Sequence, residues 1–483
     1  MTTITNDNIH SLVTTYLNNP KELPEELRDI SAWDVSRVTD MSNLFKGAYL
    51  FNEPLNNWNV SNVTDMSDLF NEAELFDQPL NNWDVSNVTN MSNMFKGAYV
   101  FNQPLNNWNV SNVTNMSNLF AGTKSFNQPL NNWDFSNVTT MEEMFRDAKK
   151  FNQPLNNWNV SNVTNMSKMF SYAENFNQPL NEWNVRNVTN MSKMFSGTKN
   201  FNQPLNGWVV SNVTNMYKMF SSAIFNQPLN DWDVSSVTTM EEMFRGAKQF
   251  NQPLNNWDVS NVTNMSYMFA YVINFNQPLN DWNVSNVTNM DGMFASAISF
   301  NQPLNNWDVS NVRLMTNMFA YAENFNQPLN DWNVSNVTDK TGMFRGTKNF
   351  DKRNKPGVQR PKCMSQAEYD KCKNDDGQVV DPISYDELDR RNAVKVPGDI
   401  VDCYSRDSLR RHVAEERRLG RDPKSPTTRN LISNNWINQN LGEGECVEDE
   451  VVGGKKRKTR KKKRKTSRKK GKSNKRTNKK YNK

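Results

Sequence analysis

The sequence predicts an α/β repeat solenoid of the leucine-rich-repeat kind, and three observations lead there. Tryptophans fall at Trp33, Trp58, Trp83, Trp108, Trp133, Trp158, Trp183, Trp208, Trp232, Trp257, Trp282, Trp307 and Trp332, 25 residues apart with one step of 24, a period inside the leucine-rich-repeat range. Each period repeats the same apolar residues in the same order. The remaining positions are mostly Asn at fixed places, which accounts for only 36% hydrophobic residues and a mean hydropathy of −0.82 over 483 residues without invoking disorder.

One coil, starting at Trp83, carries two periodicities. Val88, Met91, Met94, Phe95 and Ala98 follow the spacing of a short helix's apolar stripe, with Ser86 and Asn87 as candidate caps. Trp83 and Val85 alternate with polar Asn82 and Asp84, which is strand spacing. Pro104 interrupts any helix begun at Val88 and opens the next extended segment. The expectation is one short strand plus one short helix per coil. A single coil has no partner for its roughly nine inward side chains, so stability must come from stacking. Thirteen coils at about 4.8 Å per step give a rod of roughly 60 Å. Asn at equivalent corners accepts left-handed backbone and hydrogen-bonds along the stack.

The ends follow the same logic. Asn8 to Leu17 has helical apolar spacing and Ile30 takes the Leu place of a first coil, so residues 1–30 are read as an N-terminal helical cap. The solenoid occupies residues 31–350 and stops where Lys340 replaces the expected Met and Asp351-Lys352-Arg353 follows Phe350. Within it, the step of 24 is localised: four residues separate Phe220 from Phe225 where five separate Phe95 from Phe101. A deletion tolerated there marks a surface loop. Coils also differ most just before the recurring Phe, as at Tyr99-Val100, Lys124-Ser125, Lys149-Lys150, Glu174-Asn175, Ile273-Asn274 and Glu323-Asn324. Two readings stand open for this edge: recognition, or drift after duplication.

The motif Trp-Asp-Val-Ser-Asn-Val-Thr-Asn-Met-Ser-Asn-Met-Phe, from Trp83 to Phe95, resembles that of the BspA-like repeat family of surface proteins, known from mycoplasma lipoproteins and large DNA viruses of protists. The likeness covers about residues 31–350 and implies a leucine-rich-repeat-like solenoid displayed on a surface. The start of the chain, Met1 to His10, lacks a basic segment followed by an apolar run, which departs from the bacterial lipoproteins and favours the viral branch. No stretch of 18 apolar residues occurs, so no membrane span is expected.

Catalysis within the coils is not expected. After His10 the solenoid has neither His nor Cys, which removes His-based triads and Cys nucleophiles, and no cofactor is implied. Polar Asn82 and Asp84 invite a calcium reading, but calcium needs several converging oxygens and an Asn ladder explains the pattern. Asn59-Val60-Ser61 and Asn62-Val63-Thr64 match glycosylation sequons, set aside for want of a secretory signal. All four cysteines, Cys363, Cys372, Cys403 and Cys446, lie beyond the coils, and a reducing, intracellular setting is expected. A zinc site from these cysteines and His412 fails on spacing.

Residues 351–380 read as a linker, residues 381–440 as a small module, residues 441–454 as a second linker and residues 455–483 as a disordered Lys/Arg-rich tail. In the module, Ser405 is placed to cap a helix bearing Leu409 and Val413 that ends at Gly420. The order of Asp381-Pro-Ile-Ser384, Ala393-Val-Lys-Val396, Cys403 to Leu409 and Asp422 to Ile432 resembles a U-box. That resemblance implies docking of a ubiquitin-conjugating enzyme at Ile383, Leu409, Pro423 and Pro426, although Asp402-Cys403 stands where the family has Gly-His. The tail holds 19 of the 57 Lys and Arg and no acid, leaving 38 basic against 51 acidic residues, a formal −13, in the rest. Lys455, Lys456, Arg457, Lys458, Arg460, Lys461, Lys462, Lys463, Arg464 and Lys465 form its densest run, which suits nucleic acid or a nuclear-localisation signal. The expected function is a non-enzymatic protein-interaction or display solenoid with this basic tail. The alternative is a ubiquitin ligase whose solenoid chooses the substrate.

Overall fold

A computed structural model describes residues 2–357, 366–373, 378–379, 381–383, 388, 393–396, 403–426, 429, 431–433, 436–437 and 440–441. The chain divides into two compact units, Met1–Gln359 and Arg360–Lys483.

The first unit is the solenoid. Helix α1 (Asn6–Asn18) covers its start with Ile9 and Val13 buried, and the amide of Thr5 donates to Asn8 Oδ1 at 2.9 Å at its head. Short turns at Pro20–Glu22, Glu25–Leu27 and Ile30–Ala32 lead into the first coil. Ile30 does stand in for the recurring Leu: Trp58 Nε1 donates to its carbonyl (2.8 Å) as Trp83 Nε1 donates to Leu55 (2.9 Å) one coil later.

Each coil is a chain of turns, and this corrects the expected strand-plus-helix unit. No α-helix forms between Trp33 and Phe350, and each coil contributes one residue to a parallel ladder running from Asp40–Asp65 to Leu314–Asp339. The ladder lies just before the recurring Met, away from the Trp83–Val85 segment expected to be strand. In the first coil the amides of Met41, Asn43, Phe45 and Gly47 donate to Asp65, Ser67, Leu69 and Asn71 of the second at 2.7–2.9 Å. The intervening amides of Leu44, Lys46 and Ala48 close turns onto Met41, Asn43 and Phe45 at 3.1–3.5 Å. A helix sends every amide to the fourth residue back. Here every second amide is spent on the next coil, and a left-handed residue at Asn43 and again at Gly47 resets the chain direction. The three-residue apolar spacing survives because each turn spans three residues: Val88 donates to Val85, Met94 to Met91, Ala98 to Phe95 and Phe101 to Ala98.

The interior is a set of aromatic columns. Phe45 to Phe344 form an unbroken stack through all thirteen coils, with neighbouring ring centroids 5.5 to 5.8 Å apart. A second Phe lies about one ring thickness away within each coil, as Phe170–Phe176 at 4.0 Å, and the indoles stack nearly parallel, as Trp183–Trp208 at 6.3 Å and 2°. At the 24-residue step Phe225 still meets Phe220 (4.2 Å) and Phe201 (6.1 Å), and the lost residue comes from the exposed turn holding Ile224. A single turn at Lys352–Asn354 follows the last coil, with Asn354 buried and its Nδ2 donating to Asn326.

In the second unit, α2 (Gln366–Asp370) comes first, β1 (Ala393–Val394) pairs antiparallel with β2 (Tyr404–Ser405), and α3 (Arg406–Arg418) follows. Ser405 caps α3, its Oγ accepting from the Ser408 amide at 3.4 Å, and Gly420 ends it at φ 72°. Leu409 and Val413 join Val394, Val396, Tyr404, Ile432, Ile437 and Leu441 in a small core. Cys372 and Cys403 form a disulfide with Cα atoms 5.7 Å apart, a spacing that suits the bond. Cys363 and Cys446 lie outside the described residues. Among the described residues no helix is long and apolar enough to cross a membrane.

Candidate interaction surface

Two sides of the solenoid use their side chains differently. On the Asn side, each Asn-Gln pair stitches to the coil before. Asn152 Oδ1 accepts from the amide of Asn177 (3.0 Å) and from Gln178 Nε2 (3.1 Å), while the Asn152 amide donates to Asn127 Oδ1 (2.9 Å). A second Asn column donates to Ser carbonyls, as Asn62 Nδ2 to Ser36 and Asn87 Nδ2 to Ser61 at 2.8 and 2.7 Å. These amides are committed to the stack, so a glycan on Asn62 would break a coil-to-coil bond. Short Asx turns complete the pattern, as at Asp84, where hydrogen bonds from Ser86 hold the carboxyl below its usual range.

On the other side the backbone forms a regular ladder of rungs from coil to coil, and the side chains vary. One column of left-handed residues runs Asn43, Asp68, Asn93, Asn118, Glu143, Lys168, Lys193, Lys218, Glu242, Tyr267, Gly292, Asn317, Gly342. The next runs Gly47, Glu72, Gly97, Gly122, Asp147, Tyr172, Gly197, Ser222, Gly246, Tyr271, Ser296, Tyr321, Gly346. Left-handed backbone is routine for Gly and Asn and costs other residues roughly 1 kcal/mol or more. Lys, Glu and Tyr are held there nonetheless. Tyr172, Tyr271 and Tyr321 are about half exposed, at 52%, 48% and 52%.

These columns form clusters between neighbouring coils. Glu143 pairs with Lys168 and, at 2.7 Å, with Arg146. Burial disfavours charge on its carboxyl, yet the hydrogen bond from Lys168 and the nearby Arg146 bring it below the ordinary Glu value. Glu242 likewise pairs with Lys218 (3.1 Å) and Arg245 (2.8 Å), and the Arg245 guanidinium lies 5.7 and 5.9 Å from the rings of Tyr267 and Tyr271. Glycine makes room for the aromatics. A Cβ on Gly197 or Gly346 would come within 2.4 Å of the ring of Tyr172 or Tyr321.

The edge before the recurring Phe, singled out in the sequence at Tyr99-Val100 and its equivalents, adjoins these columns and is exposed or half-exposed. Tyr49, Leu50, Leu75, Tyr99 and Val100 make it apolar over the first three coils. The two left-handed columns were missed from sequence because they fall inside the stretch read as a helix. The available signal was a Gly recurring between a basic residue and Ala, at Lys46-Gly47-Ala48, Lys96-Gly97-Ala98 and Arg245-Gly246-Ala247.

In the second unit Leu409 is fully buried and Pro423 is buried, whereas Ile383 and Pro426 are half-buried. The four do not form one exposed patch: a partner at this surface would meet Ile383 and Pro426 and would not reach Leu409. The tail run from Lys455 to Lys465 lies outside the described residues.

No curated protein matches the chain. The family model described as "Mycoplasma protein of unknown function, DUF285" matches four overlapping segments, residues 16–128, 104–196, 178–270 and 252–356. These take in the end of α1 and all thirteen coils, the same span that carries the BspA-like, mycoplasma-type motif. The chain therefore belongs to the DUF285 family of mycoplasma-type repeat proteins.

Proposed function

We propose that the solenoid is a non-enzymatic protein-interaction module whose recognition face comprises the two left-handed columns and the adjoining edge. One observation carries this: thirteen coils keep the same left-handed backbone at the same two positions while filling them with Gly, Asn, Asp, Ser, Glu, Lys and Tyr. A fold selected for stacking alone favours Gly or Asn there. Costly backbone bearing half-exposed aromatics and paired charges is the mark of a functional surface. The test compares the full-length protein with a Tyr172→Ser, Tyr271→Ser, Tyr321→Ser variant in cross-linking capture from its native extract. A partner held by the first and lost by the second, with unchanged thermal unfolding, supports the reading. A partner held equally by both refutes it.

The Lys/Arg-rich tail adds a second, sequence-based element, binding nucleic acid through phosphate contacts. Six contacts on duplex DNA would lower affinity by roughly three orders of magnitude between 50 and 200 mM salt. A chain ending at Gly454 should lose binding, and a salt-independent complex would refute the polycation account. That role needs an intracellular setting, whereas a Cys372–Cys403 disulfide needs an oxidising one. Thiol titration of protein taken from its source decides between them.

A further inference from the structure

Among the described residues the solenoid is covered at one end and uncovered at the other. At the start, α1 lies over the first coil, and the His10 ring meets the Ser42 carbonyl at 2.9 Å. At the far end the last coil presents a row of donors that no described residue pairs. Throughout the stack the second-next amides pass to the following coil, as Met315, Asn317, Phe319 and Tyr321 donate to Asp339, Thr341, Met343 and Arg345 at 2.7–2.9 Å. The equivalent amides of the final coil, on Lys340, Gly342, Phe344 and Gly346, have no acceptor among the described residues. Val334, Val337, Phe344 and Phe350 are only partly buried there, while their counterparts one coil earlier, Val309, Val312, Phe319 and Phe325, are at most 1% exposed. Phe344 stacks on Phe319 at 5.7 Å and has no coil on its other face. Beside it lies a cavity of about 400 Å³ whose lining includes Lys340, Arg345 and Lys355 and, among the described residues, no acid.

We infer that this end accepts an acidic peptide segment of a partner protein, wound into the same turns as a coil, as a fourteenth rung. The donors call for carbonyls on alternate residues of a chain of turns, as Asp65, Ser67, Leu69 and Asn71 supply them to the coil before, a turn-built counterpart of strand addition to an open edge. The exposed face of Phe344 calls for an aromatic side chain, and the three cations select a segment rich in Asp and Glu. A second whole copy stacked head to tail does not fit, because α1 covers the surface it would have to offer.

Direct binding to the full-length protein tests this, with a synthetic peptide of residues 64–76, Thr-Asp-Met-Ser-Asp-Leu-Phe-Asn-Glu-Ala-Glu-Leu-Phe, as probe. Inside the chain its carbonyls at Asp65, Ser67, Leu69 and Asn71 already accept from the coil before. Expected are saturable binding by fluorescence anisotropy, at least tenfold weaker binding when its four acids are replaced by Lys, and slower hydrogen exchange at Gly342, Phe344 and Gly346. The exposed charge reversals Lys340→Glu, Arg345→Glu and Lys355→Glu, combined, should leave the fold intact and invert the preference between the two peptides. Absence of binding, or equal binding of both peptides, overturns the inference. So does protection of those amides before any peptide is added, since residues beyond 357 would then already occupy the end.

Discussion

On the Asn side of the solenoid side chains join one coil to the next, and along the left-handed columns a regular main-chain ladder does. Asn152 has its Oδ1, amide and carbonyl all engaged between coils, so its identity is fixed by the stack. Lys168 donates its amide to Ser192 and leaves its carbonyl to Ser171, so the same rung would form with almost any side chain. The lesson is general for repeat arrays. Where the backbone supplies the inter-repeat bonds, side chains become available for recognition, and where side chains supply them the surface is spent on stability.

The largest effect tests what both sides share. Phe170 is fully buried, with Phe145 and Phe195 at 5.8 Å on either face and Phe176 at 4.0 Å. Phe170→Ala, or Trp158→Ala in the indole column, should cost about 3–5 kcal/mol, read as a lowered chemical-denaturation midpoint. An unchanged midpoint would mean that the interior does not hold the coils together.

A sharper contrast comes from Asn152. Asn152→Ala leaves the half-buried amide of Asn177 and the Gln178 side chain without their acceptor, which should cost about 1–3 kcal/mol. Asn152→Asp keeps the oxygen and should be close to neutral, because Asp77 already fills this role, accepting from the Asn102 amide at 2.9 Å. If alanine and aspartate behave alike, the Asn ladder is not what joins that side.

Much of this was legible in the sequence, for reasons that particular residues make plain. Trp, Phe, Leu and Met recur because the core is identical in each coil, and the deletion near Ile224 pointed correctly to an exposed turn. The Asn ladder was legible because the Asn side chain both donates and accepts, although Asn127, Asn152 and Asn177 do not take the left-handed backbone that the sequence also suggested for such corners. The turn structure was not. Val88, Met91, Met94 and Phe95 present the same three-residue spacing whether amides bond four residues back or across to another coil, and spacing alone cannot tell the two apart. Lys168, Glu143 and Tyr172 hide the left-handed columns because nothing in those residue types signals positive φ. In the second unit, Leu409 was placed correctly on α3, but a helix this short exposes little by sequence to say which apolar residue is core.

The backbone side should respond in the opposite sense to the Asn side. Ser222 sits at φ 58° in the second left-handed column, exposed, and its amide donates to Arg245 at 2.7 Å. Ser222→Gly removes the strain and keeps the rung, so it should raise stability by about 0.5–1 kcal/mol. A loss of that size in thermal unfolding would show that side chains on this face carry the stack after all.

The smallest effect is electrostatic and carries a pH signature. Glu143 is paired with Lys168 and Arg146, and although burial opposes its charge, those partners hold its carboxyl below the ordinary Glu value. A group whose folded pKa is depressed adds stability above its unfolded pKa, about 4.3 for Glu, and loses it as pH falls through the folded value. Glu143→Gln should therefore be less stable than the parent by about 0.5 kcal/mol near pH 7, a magnitude set by the solvent screening of a pair this close to the surface. The gap should narrow below the ordinary Glu range and close once the parent's carboxyl is protonated, and raised salt should shrink it at neutral pH. Thermal unfolding of both proteins across that pH range gives the answer. A gap that stays constant with pH would assign the loss to packing at a left-handed position, and the charges on this face would then be available to a partner without any cost to the stack.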